Sequence, residues 1–177
     1  MTRRPAKPAR TLPQHRQATD EEARALASTL RMRILRVCLD EAHSNKEIAE
    51  ALGRDPATTL HHVRRLVDTG FLQPQPPRRG ARGSREKPYL ATGKSWGIST
   101  PGKDRVLIDA FLEEVALVPV GDVITARLGL RLTLEHKDEL EARLIAVLEE
   151  FRALSDAGST GDAWSVFLAM HPDPNRP

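Results

Sequence analysis

Three side chains between residues 55 and 70 have the chemistry and the spacing to read a nucleic acid. Thr58, His61 and Arg65 lie three and four residues apart, so an α-helix would present them on one face. Thr and His can donate to or accept from base edges, and an Arg guanidinium can pair bidentately with guanine. We therefore predict that these residues contact base edges in the major groove of double-stranded DNA.

The flanks of this face carry groups suited to phosphate. Lys46, Thr59 and Arg64 are predicted to hold the helix on the DNA backbone, which fixes its position without reading sequence. His62 is predicted to lie at the edge of the same DNA-binding surface. Neighbouring helical residues point about 100° apart, so His61 and His62 cannot chelate one metal ion together. The alternative interpretation of the whole face is an ordinary solvated helix surface.

A basic loop follows this helix. Short strands are predicted at 71–73 and 89–91, and the loop between them is rich in Gly, Pro and Arg, with only Glu86 as an acid. Flexible Arg-rich loops suit the narrow minor groove and its phosphates, so we predict that this loop contacts both. The alternative is a solubilising loop. The predicted DNA contacts of the loop are Arg78, Arg79, Arg82, Arg85 and Lys87.

The turn residues define the two helices that must position these groups. Ser44 and Glu47 form a capping-box pattern that opens a helix over about 44–52, and Gly53 is suited to end it. Asp55 is a good N-cap and is followed by a proline, which fits the first position of a second helix. Two helices joined by so short a turn are predicted to form a helix-turn-helix.

Two further helices are predicted before this pair. Thr19 and Glu22 form another capping box, which opens a short helix toward Ala27. Apolar residues recur at helical spacing from Leu30 to Cys38 and indicate a core helix. Cys38 is interpreted as a small core residue, and a lone cysteine cannot form an intramolecular disulfide.

Positive charge is concentrated in two segments. The net charge of the 177 residues is +3, but residues 1–18 hold five basic and no acidic side chains, and residues 71–105 hold eight basic and two acidic ones. Two basic segments around a near-neutral helical block favour a polyanionic partner. No apolar stretch approaches the ~20 residues of a membrane span, so neither a membrane nor a signal segment is expected, and the cytoplasm is the expected location.

The C-terminal part has a different character. Residues 106–177 carry thirteen acidic and six basic side chains. A helix is predicted to reach about Leu117, a half-buried strand to span 127–134, a long helix to follow with its apolar stripe over 140–154, and a second strand to lie at 163–171. We therefore expect a small α/β module that pairs with a second copy or packs on the preceding helices.

The predicted domains follow from these patterns. They are a disordered basic arm at 1–18, a DNA-binding domain at 19–100, a C-terminal dimerisation module at 101–171 and a flexible tail at 172–177. The expected fold class is α+β.

Residues 26–92 resemble the winged helix-turn-helix of ArsR-like transcriptional regulators. The resemblance rests on the helix 31–39, the His61-His62 pair, the Arg-Arg-Leu run that starts at Arg64, and the basic loop that closes with Tyr89. It implies a homodimer that places one recognition helix in each of two adjacent major grooves and represses or activates transcription. It does not imply metal sensing, because Cys38 stands alone. The C-terminal extension is similar to that of an actinobacterial-type subgroup.

The sequence therefore predicts a mainly α winged helix-turn-helix domain followed by a small C-terminal α/β module. We expect a cytoplasmic, homodimeric, sequence-specific regulator that reads an inverted-repeat operator, with no cofactor and with an effector that the sequence does not identify. No catalytic motif occurs, so an enzyme is not expected. The alternative is a winged-helix protein-interaction module that does not bind DNA specifically.

Overall fold

The helices of the computed structural model begin where the sequence provides caps. The structure describes residues 16–80, 85–100, 104–156 and 160–176. Both predicted capping boxes are confirmed: the Thr19 hydroxyl accepts from the Glu22 backbone N–H at 3.2 Å, and Ser44 with Glu47 repeats the arrangement. The helices are α1 Asp20–Leu26, α2 Thr29–Val37, α3 Asn45–Leu52, α4 Pro56–Asp68, α5 Asp104–Val115 and α6 Leu134–Asp156.

A three-stranded antiparallel sheet forms the base of the wing. The strands are β1 Arg16–Gln17, β2 His43–Ser44, β3 Leu72–Pro74, β4 Arg78–Arg79, β5 Arg85–Glu86, β6 Pro88–Ala91 and β7 Ile98–Ser99. Strand β6 lies between β2 and β3, with Leu72 opposite Ala91 and His43 opposite Tyr89. The two strands predicted after α4 are therefore confirmed, and β2 adds a third that the sequence did not indicate.

The core lies where α2, α3, α4 and the sheet meet. Ile34, Ile48, Val63, Leu66 and Phe71 are each at most 1% exposed. Cys38 joins this cluster, and burial raises the pKa of its thiol to about 12. The interpretation of Cys38 as a core residue is confirmed, and the thiol is held in its neutral, poorly nucleophilic form.

The end of the predicted basic arm is ordered. Residues 1–15 lie outside the described residues, but Arg16 and Gln17 form β1, which pairs in parallel with β7. Arg16 also binds Glu22 with its Nη2 atom 2.6 Å from Oε1, and Lys94 Nζ lies 2.8 Å from the same oxygen. Disorder was predicted from composition alone, whereas Arg16 pairs with Ile98, which is distant in the sequence, and with Glu22 six residues away.

Replacing Glu22 by glutamine is expected to lower the free energy of unfolding by about 1–3 kcal/mol at pH 7, because two cations lose a largely buried partner. The hydrogen bonds from Arg16 and then Lys94 hold the pKa of Glu22 well below its ordinary value. A carboxyl whose pKa is lowered by folding stabilises the protein above its unfolded pKa, and that contribution declines as the pH falls toward the folded value.

Denaturant unfolding of both proteins at several pH values measures this effect. The difference between wild type and Glu22→Gln should shrink steadily below about pH 4. A difference that stayed constant between about pH 5 and pH 3 would contradict the proposed role of Glu22.

Helix α5 belongs to the same compact unit as the helix-turn-helix. The chain divides into two compact units at residue 122, and the predicted domain boundary at residue 100 stays a prediction. Helix α5 contacts α2, where the Nη1 atom of Arg33 donates to Glu113 Oε2 of α5 at 3.2 Å. The sequence shows no pattern that specifies such a contact between helices.

The second unit, 123–177, contains α6 between two segments without regular secondary structure. In the described residues 124–133 and 162–173 no strand is formed, so the prediction of strands at 127–134 and 163–171 is wrong for the single chain. Alternating side chains favour a strand only where a neighbouring strand completes the hydrogen bonds. The α+β, mainly helical class is confirmed, and its strands lie in the first unit. None of the helices in the described ranges has the length and apolarity of a membrane span.

Candidate nucleic-acid interface

The turn between α3 and α4 fixes the orientation of the second helix. Gly53 ends α3 in the left-handed region with φ 60°, and the Asp55 carboxylate caps α4 by accepting from the Ala57 and Thr58 backbone N–H groups at 3.0 and 2.9 Å. Asn45 links the starts of both helices, because its Nδ2 donates to the Pro56 carbonyl at 2.9 Å. Helix α4 is thus held at its N-terminal end by short-range bonds alone.

Helix α4 divides into a buried and an exposed face. Thr59, Val63 and Leu66 are fully buried against the core. Thr58, His61 and Arg64 are exposed. His61 lies at the centre of this face, and the structure therefore brings Thr58, His61 and Arg64 together on one accessible surface, free of acidic side chains until Asp68 at the end of the helix.

Arg65 lies beside α1. Its Nη1 atom is 3.3 Å from Glu21 Oε1, and 36% of its side chain is exposed. The spacing in the sequence grouped Arg65 with Thr58 and His61, but the contact with α1 engages its guanidinium. Arg64 is the more exposed of the two arginines, although Arg65 lies nearer to His61 around the helix.

Thr59 cannot touch a phosphate, and the prediction that it does is wrong. The residue is 0% exposed, and its hydroxyl donates to the Asp55 carbonyl at 2.9 Å. The hydroxyl residue was assigned by its chemistry, but a turn of α4 places position 59 on the same face as Val63 and Leu66.

A matched pair of threonine variants tests this correction. Thr59→Val is expected to cost about 1 kcal/mol of stability because it removes a buried hydrogen bond, and to leave the DNA affinity of the folded protein unchanged. Thr58→Val should leave the stability unchanged and weaken DNA binding, because Thr58 is exposed. Thermal unfolding and DNA titration of both variants measure the two effects. A loss of DNA affinity for Thr59→Val without a loss of stability would contradict the structural role of Thr59.

His62 packs between helices. Its ring is half-buried, and Arg31 Nη1 of α2 donates to His62 Nδ1 across 3.2 Å. The same guanidinium donates to the carbonyls of Arg24 and Ala25. Burial, together with the charge of Arg31, lowers the pKa of His62 and favours a neutral ring. His62 therefore orients α4 on α2 and stands behind the exposed face.

The wing is attached to α3 through Arg78. Its Nη2 atom donates to both carboxylate oxygens of Glu47, at 2.6 and 2.5 Å, and its Nη1 atom to the Ala42 carbonyl at 3.4 Å. The hydrogen bond from the Ser44 backbone, assisted by the charge of Arg78, lowers the pKa of Glu47. Arg78 was predicted to contact DNA. In the structure its guanidinium attaches strand β4 of the wing to α3.

Four other predicted contacts remain accessible around this attachment. Lys46, Arg79, Arg85 and Lys87 are exposed. Lys46 and Lys87 line one open cleft of about 270 Å³, and Lys46 lines a second of about 420 Å³ with Arg79. The structure thus brings basic side chains of α3 and the wing together, and Glu86 lines both clefts while Glu47 and Glu50 line the second. The predicted contact Arg82 lies outside the described residues.

Sequence reasoning missed Arg54. This residue is exposed in the turn directly before the Asp55 cap, so its charge lies at the start of α4. The signal was available, because a basic side chain in the turn of a helix-turn-helix lies near the end of the helix that enters the groove.

The comparisons with known proteins agree with this geometry. Residues 26–75 match the family model described as a helix-turn-helix domain. With the wing that follows, this match supports the winged helix-turn-helix fold predicted for this part of the chain. A search of curated proteins finds no match.

Several solved structures are similar to this chain at low sequence identity. HlyU from Vibrio cholerae is 22% identical with a TM-score of 0.33, covering 50% of this chain and 81% of its own. The homodimeric winged helix-turn-helix DNA-binding domain of Mb0332 from Mycobacterium bovis, described as a possible ArsR-family regulator, is 19% identical with a TM-score of 0.35, covering 61% and 82%. A mutant of S. aureus MepR bound to an oligodeoxyribonucleotide is 16% identical with a TM-score of 0.30, covering 75% and 79%.

Proposed function

We propose that this protein is an ArsR-like transcriptional regulator that binds double-stranded DNA sequence-specifically as a homodimer and has no enzymatic activity. The observation that carries the proposal is the surface formed by the exposed face of α4 and the basic wing beside it. Helix α4 enters the major groove, where Thr58, His61 and Arg64 contact base edges. This assigns base reading to Arg64 in place of Arg65.

The remaining basic groups position the helix. Lys46 of α3 and Arg54 of the turn contact phosphates beside the major groove. Arg79, Arg85 and Lys87 of the wing contact the adjacent minor groove and its backbone. The attachment of Arg78 to Glu47 supports this arrangement, since it fixes the wing tip relative to α3 before DNA is bound.

Homodimerisation places two such surfaces on one duplex. Half-sites one helical turn apart, ~34–36 Å, match two symmetric recognition helices, so the operator is a short inverted repeat. Binding there in the cytoplasm represses a neighbouring promoter. The domain division proposed is an N-terminal DNA-binding domain with a C-terminal dimerisation module.

The salt dependence of DNA affinity tests the contribution of the wing. A triple variant, Arg79→Ala, Arg85→Ala and Lys87→Ala, is expected to bind more weakly and to reduce the slope of log K against log salt by roughly one for each phosphate that is no longer neutralised. Arg36→Ala, which removes an exposed charge from α2, is the control and should leave the slope unchanged. A wild-type affinity that does not vary with salt would instead favour a protein-interaction module.

A further inference from the structure

The second unit leaves its large apolar side chains uncovered. Among its described residues, 123–155 and 160–176, none is buried. A contiguous apolar surface left uncovered is typical of a protein-protein interface. The exposed large apolar residues are Ile124, Leu128, Leu130, Leu132, Leu134, Val147, Phe151, Leu154, Trp164, Val166, Leu168 and Met170.

Helix α6 carries a pattern that specifies what covers it. Leu140, Leu144, Val147, Phe151 and Leu154 follow one another at alternating intervals of four and three residues. This spacing has the 3.5-residue period by which one helix packs along another. We call these five residues the α6 seam. Val147, Phe151 and Leu154 of the seam are 50%, 63% and 58% exposed, so the described residues of the second unit do not complete the packing.

The charges beside the seam indicate its partner. Arg143 and Glu150 lie seven residues apart on the same edge of the seam. In an antiparallel pair of identical helices, the same edge of both helices meets, and Arg143 of each copy lies near Glu150 of the other. A parallel pair would place Arg143 opposite Leu148 and lose this complementarity. Arg143 binds Glu139 on its own helix, but 77% of its side chain remains exposed.

We propose that the α6 seam packs antiparallel against the α6 seam of a second copy of this chain. The inference deepens the proposed function, since it names a surface through which the homodimer forms outside the helix-turn-helix domain. The contact buries Val147 near the centre of the pair and places the two Leu154 side chains at opposite ends. The adjoining segments 124–133 and 163–170 lie in the same unit and gain neighbours from the second copy.

Cysteine cross-linking of the full chain, without DNA, tests this arrangement. The variants are Val147→Cys in the seam, Leu154→Cys at its end, and Ala146→Cys, an exposed position outside the seam. Each is treated with a short bismaleimide and the covalent dimer is measured. The native Cys38 is buried, so the wild-type chain serves as the background.

We expect Val147→Cys to give roughly tenfold more covalent dimer than Ala146→Cys or Leu154→Cys, because only position 147 lies near its own copy in an antiparallel pair. Equal yields for all three variants would overturn the proposal. Cross-linking of Leu154→Cys as efficient as that of Val147→Cys would overturn the antiparallel arrangement. The cross-linking is done without DNA, so failure to cross-link Val147→Cys overturns the α6 contact only. The DNA-binding function is tested separately by the salt dependence of DNA affinity.

Discussion

Replacing Arg64 by alanine is expected to reduce affinity for the preferred DNA site by about 1–3 kcal/mol, with the loss confined to one base position in each half-site. Arg64 is exposed on the same surface of α4 as His61, and we propose that its guanidinium pairs with both acceptors of a guanine edge. Titration of the variant against a panel of single-base-substituted duplexes measures the effect.

Arg65→Ala is the matched control, since it removes the same side chain from the neighbouring position. The Glu21 contact holds Arg65 toward α1, so its removal should reduce affinity less and without base preference. Two outcomes contradict the assignment. A uniform loss over all duplexes for Arg64→Ala would make Arg64 a phosphate contact, and a base-specific loss for Arg65→Ala would return the reading role to Arg65.

Leu66→Ala is expected to destabilise the protein by about 2–5 kcal/mol and to lower Tm by roughly 10 °C or more, because Leu66 is fully buried where α4 meets the core. Truncation removes its contacts and leaves a cavity that the packed neighbours cannot fill. Thermal and denaturant unfolding of the purified variant measure the loss.

Leu60→Ala on the same helix is the control for this substitution. Leu60 is half-buried, so the same truncation should cost clearly less than it does at position 66. Equal losses of stability for the two variants would contradict the burial of Leu66 in the core.

The helix-turn-helix could be predicted because its signals are local. The Ser44 and Glu47 box, Gly53 in the left-handed region, and Asp55 before the proline each act within four residues, and each takes the predicted conformation. The exposed position of Thr58 and His61 follows from the same helical register.

Contacts between residues that are distant in sequence could not be predicted. Arg65 meets Glu21 across 44 residues, and Arg78 meets Glu47 across 31, and no local pattern encodes either pairing. Thr59 was misplaced for another reason, because its hydroxyl suggested phosphate although its helical position lies on the buried face. The predicted C-terminal strands depend on partners that the single chain does not supply.

Selection of DNA fragments by the purified protein tests the central claim most directly. Random and genomic duplexes are incubated with the protein at near-physiological salt, and the retained fragments are sequenced. The account predicts enrichment of an inverted repeat whose half-sites lie about one helical turn apart. Retention of fragments without any shared sequence, by a protein shown to be folded, would contradict sequence-specific recognition by α4.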